Sequence, residues 1–410
     1  MTLVNARASD WTGIVTVRLK PGREKPVLRG HPWVFSGAIA SVEGTPAVGS
    51  FAEVHAHDGT WLARGLYHPD AMLSVRLYTR DENEPIGVEL FRRRLDAALR
   101  LREALFPPAG RTETNAGRLV FSESDGLSGL TVDRYADVLV ARIGAAALVP
   151  HIGPLLDYLA EQTGCPIHVQ AEPDAVEREG LDETVVQRLR ETPAQTTVTI
   201  REHGRLFEVD LTAGQKTGYF LDQRDNRARV ARYALGRRVL SAYCYTGSFE
   251  VHAAAAGATA ITGLDRSEAA LAKARRNHEL NGTTVPMEYV RADVPEALRR
   301  YRDAGATFDL IILDPPRFVT NQAQKEKGLR AYKDINLLAL KLLTPGGILA
   351  TFSCSGLVRM EDFRMMLGWA AADSGRMVRI LERLGQPADH PVLSIFSEGD
   401  YLKGLICHAE

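Results

Sequence analysis

The sequence has little cysteine, and no pairing pattern for what it has. Cys165, Cys244, Cys354 and Cys407 lie far apart in 410 residues, with no CxxC pair. That argues against a disulfide framework and against a zinc site or other metal centre, and fits a reducing compartment. Net charge is missing too. Fifty Lys and Arg stand against 51 Asp and Glu, so any affinity for nucleic acid must come from local patches. No apolar run approaches the roughly 18 residues of a membrane span. The opening MTLVNARASDWTG carries no apolar signal core. A cytoplasmic location without membrane contact is the expectation. Also absent is the GxGxxG fingerprint of dinucleotide-binding folds.

What is present is a globular balance, 45% apolar and 25% charged, in a chain long enough for two or three domains. Residues 1–82 carry short runs of alternating polarity, GIVTVRL, SFAEVHA, WLARGLYH and MLSVRLY, broken by PG, EGTP, HDG and HPD. This pattern predicts a small all-β barrel. Its stretch RLKPGREKPVLRGHPWVF holds five basic residues, Arg18, Lys20, Arg23, Lys25 and Arg29, against the single acid Glu24. Such a run is either a solvated face or an RNA-facing loop. Residues 83–195 read as a small α+β unit ending near 192–193. Its first helix places Val88, Phe91, Leu95, Ala98 and Leu99 on one face and arginines on the other.

Residues 196–410 open with a hairpin and then alternate strands and helices. RVLSAYC, AITGLD, MEYVRAD, LIILDPP and ILATFSC are the strands, and MVRILERL and YLKGLICHA suit a closing hairpin at the sheet edge. This is the pattern of a doubly wound parallel sheet, whose ligands bind beyond the C-terminal ends of the strands. Gly247 lies in the turn after the first strand, Asp265 ends the second and Asp293 ends the third. Each acid either caps the helix that follows or meets a nucleoside, Asp265 at the ribose hydroxyls and Asp293 at the adenine amino group. Three such strand ends together favour the nucleoside. The missing pyrophosphate loop then favours S-adenosylmethionine (SAM) over NAD.

The fourth strand ends in Asp314, stiffened by Pro315 and Pro316, and the fifth ends at Cys354 in ATFSCSG. By itself that cysteine reads first as a packed residue at the end of a buried strand. Beside an acid and a methyl-donor pocket it suits addition to carbon 6 of a cytosine, with Asp314 bonding ring N3 as charge builds. Cys244 reads as packing near the cofactor, and Cys165 and Cys407 as structural.

The runs GQKTGYFLDQRDNR, AYCYTGSF, LDPPRF, YKDINLLALKLLTPGGILATFSCSG and ADHPV resemble the bacterial 23S ribosomal RNA 5-methylcytosine methyltransferase family over nearly the whole chain. The resemblance implies a class I SAM-dependent methyltransferase domain with a Rossmann-like doubly wound sheet, an N-terminal PUA barrel that holds RNA, and a middle domain. It implies a SAM pocket lined by Tyr243, Gly247, Asp265, Asp293 and Asp314, closed over the methionine end by Phe220, Asp222 and Arg224. It makes Cys354 the nucleophile and 23S rRNA or its large-subunit precursor the partner, and leaves a homodimer open. Arg317 stands where other RNA cytosine-5 enzymes commonly carry a second cysteine, and is expected to face RNA. Relatives that methylate guanine leave N7 of that base as the rival target. A non-catalytic assembly factor is the third reading, which intact Asp265, Asp314 and Cys354 oppose.

Overall fold

A computed structural model describes residues 13–106, 113–190, 195–212 and 216–410. The first twelve residues, the expected boundary at 192–193 and Gly214–Gln215 of the GQKTGYF run lie outside these. The N-terminal strands are Val15–Leu19, Trp33–Phe35, Ile39–Glu43, Ser50–His55, Trp61–Tyr67 and Leu73–Thr79. They form one six-stranded sheet in the order second, sixth, fifth, fourth, first, third. Its two edge strands are consecutive in the chain, joined only by the tight turn Ser36–Ala38. The sheet therefore curls back on itself as a barrel does, without a ladder between its edges. Val15, Val17, Leu19, Val54 and Val75 fill its interior. Two of these strands were not legible: Trp33–Phe35 is too brief to show a period of two, and Ile39–Glu43, IASVE, does not alternate strictly.

The middle unit is a four-stranded sheet, Ala116–Phe121, Leu130–Tyr135, Val138–Ile143 and Ile167–Ala171, packed by helices Val88–Leu105 and Val149–Thr163. The first helix buries Leu90, Phe91, Leu95, Ala98 and Arg102, while Val88 in its opening turn is exposed. Arg102 departs from the expected solvent face. Its guanidinium donates to Asp125 at 2.6 Å, to the Arg118 carbonyl at 3.1 Å and to the Asp389 carbonyl at 3.0 Å.

The C-terminal sheet has seven strands: β1 (Arg238–Ala242), β2 (Ala260–Asp265), β3 (Met287–Arg291), β4 (Phe308–Leu313), β5 (Leu343–Ser353), β6 (Val378–Leu384) and β7 (Lys403–Ala409). Their order is β3-β2-β1-β4-β5-β7-β6, all parallel except β7. The doubly wound sheet and its closing hairpin are both present. The hairpin inserts its second strand beside β5 and leaves β6 at the edge. Six helices accompany the sheet: α1 (Arg224–Ala231), α2 (Ser248–Ala255), α3 (Glu268–Leu280), α4 (Val294–Asp303), α5 (Lys325–Leu342) and α6 (Met360–Ser374). Leu240, Ile311, Leu313 and Leu349 pack under α4, α5 and α6, whereas Val239, Leu310, Ile312 and Ile348 face α1 and α2. A strand covered on both faces has no polar side to spare, which is why LIIL is continuous rather than alternating.

Ion pairs and rings lock the three units together. Asp389, in the loop before β7, accepts both guanidinium nitrogens of Arg224 at 2.9 and 3.1 Å and the Arg118 backbone N–H at 2.9 Å. Arg118 in turn pairs with buried Asp133, which also accepts Thr217 Oγ1–H at 2.5 Å. On the barrel side the Trp33 ring lies 4.6 Å from Phe396, and its indole N–H donates to Glu123 at 2.9 Å. The 385–402 loop thus touches all three units on its way to β7.

Candidate active site

The C-terminal ends of β1, β2, β4 and β5 open into a cavity of about 510 Å³. The loop after β1 is tightly bent. Tyr243, Tyr245 and Gly247 all take left-handed backbone angles, φ 65°, 50° and 77°. Such angles cost bulky residues on the order of 1–3 kcal/mol each and persist where surrounding bonds over-determine them. Those bonds are present. Cys244 N–H donates to the Leu264 carbonyl at 2.9 Å, Gly247 N–H to the Cys244 carbonyl at 2.9 Å, and Tyr245 N–H to Asp265 Oδ2 at 3.0 Å.

Asp265 closes β2 and bridges two loops, because its Oδ1 also accepts the Ser267 N–H at 2.9 Å. Ser267, not Asp265, caps α3, with Oγ accepting from Ala270 N–H at 3.2 Å. Asp293 does cap α4, accepting the Glu296 N–H at 3.3 Å, and it lines the cavity as well. For that acid, capping a helix and a place on the cavity wall occur together.

On the other side of the sheet's switch point, Asp314 leaves β4 and its Oδ1 accepts from Gln223 Nε2 at 2.9 Å. Burial, reinforced by the Asp222 charge and opposed by the Gln223 bond, pushes its carboxyl up to about 6. Cys354 follows β5, and its Sγ lies 3.9 Å from the carbonyl of Pro315, the residue after Asp314. Burial raises the thiol, with Lys216 pulling the other way. The next residue is pinned: Ser355 Oγ accepts Val319 N–H at 3.2 Å and lies 3.0 Å from the Tyr332 hydroxyl. From β7, the buried Lys403 ammonium donates to the carbonyls of Ser355 and Tyr401 at 3.0 and 2.9 Å. All four cysteines are free, and three of them, Cys165, Cys244 and Cys407, are buried.

Of the residues singled out by sequence, Phe220, Asp222, Tyr243, Asp265, Asp293, Asp314 and Cys354 all line this one cavity. The others do not. Gly247 sits behind the wall, where a Cβ would come within 2.9 Å of Ala274 Cβ and Tyr289 Oη, so it shapes the turn and seats α2 against α3. Arg224 points the opposite way, buried against Asp389 and Asp225 with its guanidinium 4.5 Å from the Phe106 ring. It joins domains rather than facing a cofactor, because the helical turn from Phe220 sends neighbouring side chains in different directions. Arg317 is exposed beyond the rim. Lys20, Arg23, Lys25 and Arg29 are exposed on the barrel, Arg18 is half-buried, and none of them lines the cavity.

Sequence reasoning missed Lys216, Gln223 and Arg227, which do line it. Arg227 is held by buried Glu202 at 2.7 and 2.8 Å and donates to the Phe220 carbonyl at 2.8 Å. Buried pairs of this kind span 25 residues, and no local pattern announces them.

A family model described as S-adenosylmethionine-dependent methyltransferase matches residues 177–403, more than half the chain. The chain belongs to that family. A PUA-like domain model matches residues 17–80. The chain is 45% identical over 395 residues to ribosomal RNA large subunit methyltransferase I of Shewanella denitrificans, covering 96% of this chain and 98% of that one. It is 44% identical over 397 residues to the protein of the same name from Erwinia tasmaniensis, covering 96% and 99%. A SAM-dependent methyltransferase structure from Streptococcus mutans superposes with a TM-score of 0.81 over 96% of this chain and 99% of that one, at 20% identity, which shows the shared fold. A methyltransferase structure complexed with SAH matches equally well.

The cofactor of this methyltransferase is therefore SAM, and the cavity's donor set fits it. Carboxylates at successive strand ends suit a nucleoside, and no glycine loop is built for phosphates. Asp222 Oδ1 is buried without a hydrogen-bond partner, as an incoming ammonium group requires. Among the described residues, no helix is long and apolar enough to cross a membrane.

Proposed function

We propose that this methyltransferase modifies carbon 5 of a cytosine in 23S ribosomal RNA, through a covalent bond between Cys354 and carbon 6. The observation that carries this reading is one cavity lined by a thiol, an acid with a raised pKa and the strand-end carboxylates of a nucleoside site. The ribosomal RNA named for its relatives and the PUA-like match support an RNA substrate. On this reading Asp265 takes the ribose hydroxyls, Asp293 the adenine amino group and Asp222 the methionine ammonium. The exposed Lys20, Arg23, Lys25 and Arg29 of the barrel hold RNA phosphates, and Arg317 meets RNA at the rim. The expected setting is cytoplasmic, with 23S rRNA or a large-subunit precursor as partner.

When bound, SAM supplies an electrophilic methyl group. The protein's part is to make carbon 5 nucleophilic enough to receive it. The Cys354 thiolate adds to carbon 6, and the protonated Asp314 donates to ring N3 as negative charge builds there. After transfer, the carbon-5 proton leaves and the Cys354 sulfur is expelled, restoring the aromatic ring. With Arg317 in place of a second cysteine and Cys244 buried on the cofactor side, we assign the carbon-5 proton to water.

This assignment fixes a pH profile. Activity needs Asp314 protonated and Cys354 ionised, yet the acid titrates below the thiol. The product of the two fractions rises as pH climbs to about 6, stays level until the thiol range, and then falls. Asp314→Asn is expected to lower kcat by roughly 100-fold or more and to erase the inflection near 6, so that the rate keeps rising with pH up to the thiol range. A retained inflection in that variant would assign it to another group. The reading as a whole is tested by mapping the methyl group, by nuclease digestion and mass spectrometry, on 23S rRNA treated with protein and SAM. 5-Methylcytidine is expected, and methyl on guanine N7 or no methyl at all overturns it.

A further inference from the structure

Lys216 is an unusual residue for its place. Its backbone is left-handed, φ 54°, a strained angle for a long side chain. Its ammonium is only about one-third exposed and is held on three sides. It pairs with Asp222 Oδ2, lies 4.4 Å from the centre of the Phe220 ring, and lies 5.6 Å from that of Tyr401. Asp222 is fixed in turn, because the Tyr401 hydroxyl donates to the same Oδ2 at 2.6 Å. A flexible lysine is thus clamped at the wall of the cavity that Cys354 and Asp314 also line. An ordinary surface ion pair needs none of this, since water serves both partners there.

We propose that the clamped Lys216 ammonium is the cation that raises the thiolate fraction of Cys354. The inference rests on reading Cys354 as the nucleophile. The thiol is otherwise poorly placed to ionise. It follows a buried strand, and the acids that share its cavity, Asp314 and Asp222, both disfavour an anion. Arg317 is exposed to solvent on the rim and its charge is screened. From α5 the Tyr332 hydroxyl faces the loop, and from β7 Lys403 spends its hydrogen bonds on two backbone carbonyls behind it. Lys216 and Arg317 both favour the thiolate, and of the two Lys216 is the one clamped in the wall of the cavity that Cys354 lines. The same ammonium can balance the negative charge that passes from sulfur into the pyrimidine ring, which explains a cation facing the reaction rather than the bulk.

The test uses the full-length protein without RNA or cofactor. Iodoacetamide forms a sulfur–carbon bond with the thiolate and releases iodide, while the thiol proton goes to the buffer. Peptide mass spectrometry follows Cys354 alone, since the other three cysteines are buried. In Lys216→Met the cation held in the cavity wall is lost, while Asp314, Asp222, Arg317 and Lys403 remain around the thiol. The midpoint of the alkylation rate against pH is expected to rise by about one unit, a tenfold loss of thiolate near neutral pH. Lys216→Arg should keep the midpoint within a few tenths. Asp222→Asn, which removes an anion and spares the lysine, should lower it. An unchanged midpoint in Lys216→Met, or a rise in Asp222→Asn, overturns the proposal. Methylation by Cys354→Ala would sink the nucleophile reading instead, and the alkylation midpoints report on Lys216 whichever way that falls.

Discussion

Cys354→Ala is expected to abolish methylation, by roughly three orders of magnitude or more, while leaving SAM affinity within a few-fold of wild type. The size follows from the role. Carbon 5 of cytosine is a poor nucleophile until a group adds at carbon 6, and the protein offers no other thiol on the reaction side of the cavity. The small effect on SAM follows from geometry. Cys354 sits at the end of β5, whereas the strand-end acids of the nucleoside pocket lie on β2 and β3, across the switch point. Folding should be little affected, because the thiol makes only a long contact to the Pro315 carbonyl and Ser355 holds the loop. Turnover assays and calorimetry with SAM check both halves. A companion result is a stable protein–RNA adduct when 5-fluorocytosine replaces the target base, since carbon 5 then has no proton to lose. Full activity without the thiol would remove the covalent route and favour guanine N7.

Asp389→Ala should be the most damaging single change to stability, costing about 3–5 kcal/mol. Its carboxylate neutralises Arg224, of which only 1% remains exposed, and accepts the Arg118 N–H as well. Removing it leaves a buried guanidinium with only the half-exposed Asp225 as counter-charge, and a buried amide without an acceptor. Thermal melting should shift by on the order of 10 °C. The double variant Asp389→Leu with Arg224→Met should recover much of the loss, because no charge is then stranded. The sign of the pH effect is also fixed. Burial would raise the Asp389 carboxyl, but its His390 bond and the Arg224 charge outweigh burial and hold it well below the usual range. The stabilisation is therefore complete above the unfolded carboxylate range and is lost as pH falls through the folded value. Wild type and Asp389→Ala should converge in strongly acidic buffer.

Seven of the residues picked from strand ends and from the FLDQR run face one cavity, and the failures are instructive. Strand-end residues were legible because a parallel sheet delivers every C-terminal end to the same side. Arg224 was misassigned because four residues of a helical turn fan out in all directions, and the partner that decides its direction, Asp389, lies 165 residues away. Gly247 was placed correctly in the turn, but only the neighbouring Ala274 and Tyr289 show that it packs rather than touches a ligand. Val88 was put on the buried face of its helix and Arg102 on the solvent face, and the structure exchanges them. Burial at a helix end depends on what lies beyond it.

What the sequence determined by itself was the class of fold and the gathering of strand-end residues at one cavity. Both follow from local periodicity and from the direction of parallel strands. What only the tertiary structure decided was the electrostatic state of those residues. Asp314 rises to about 6 through burial and the Asp222 charge, and Lys216 is clamped over Phe220 and Tyr401. The physical reason is that burial and Coulomb effects sum over groups that meet only after the chain has folded, and no spacing along the chain encodes them.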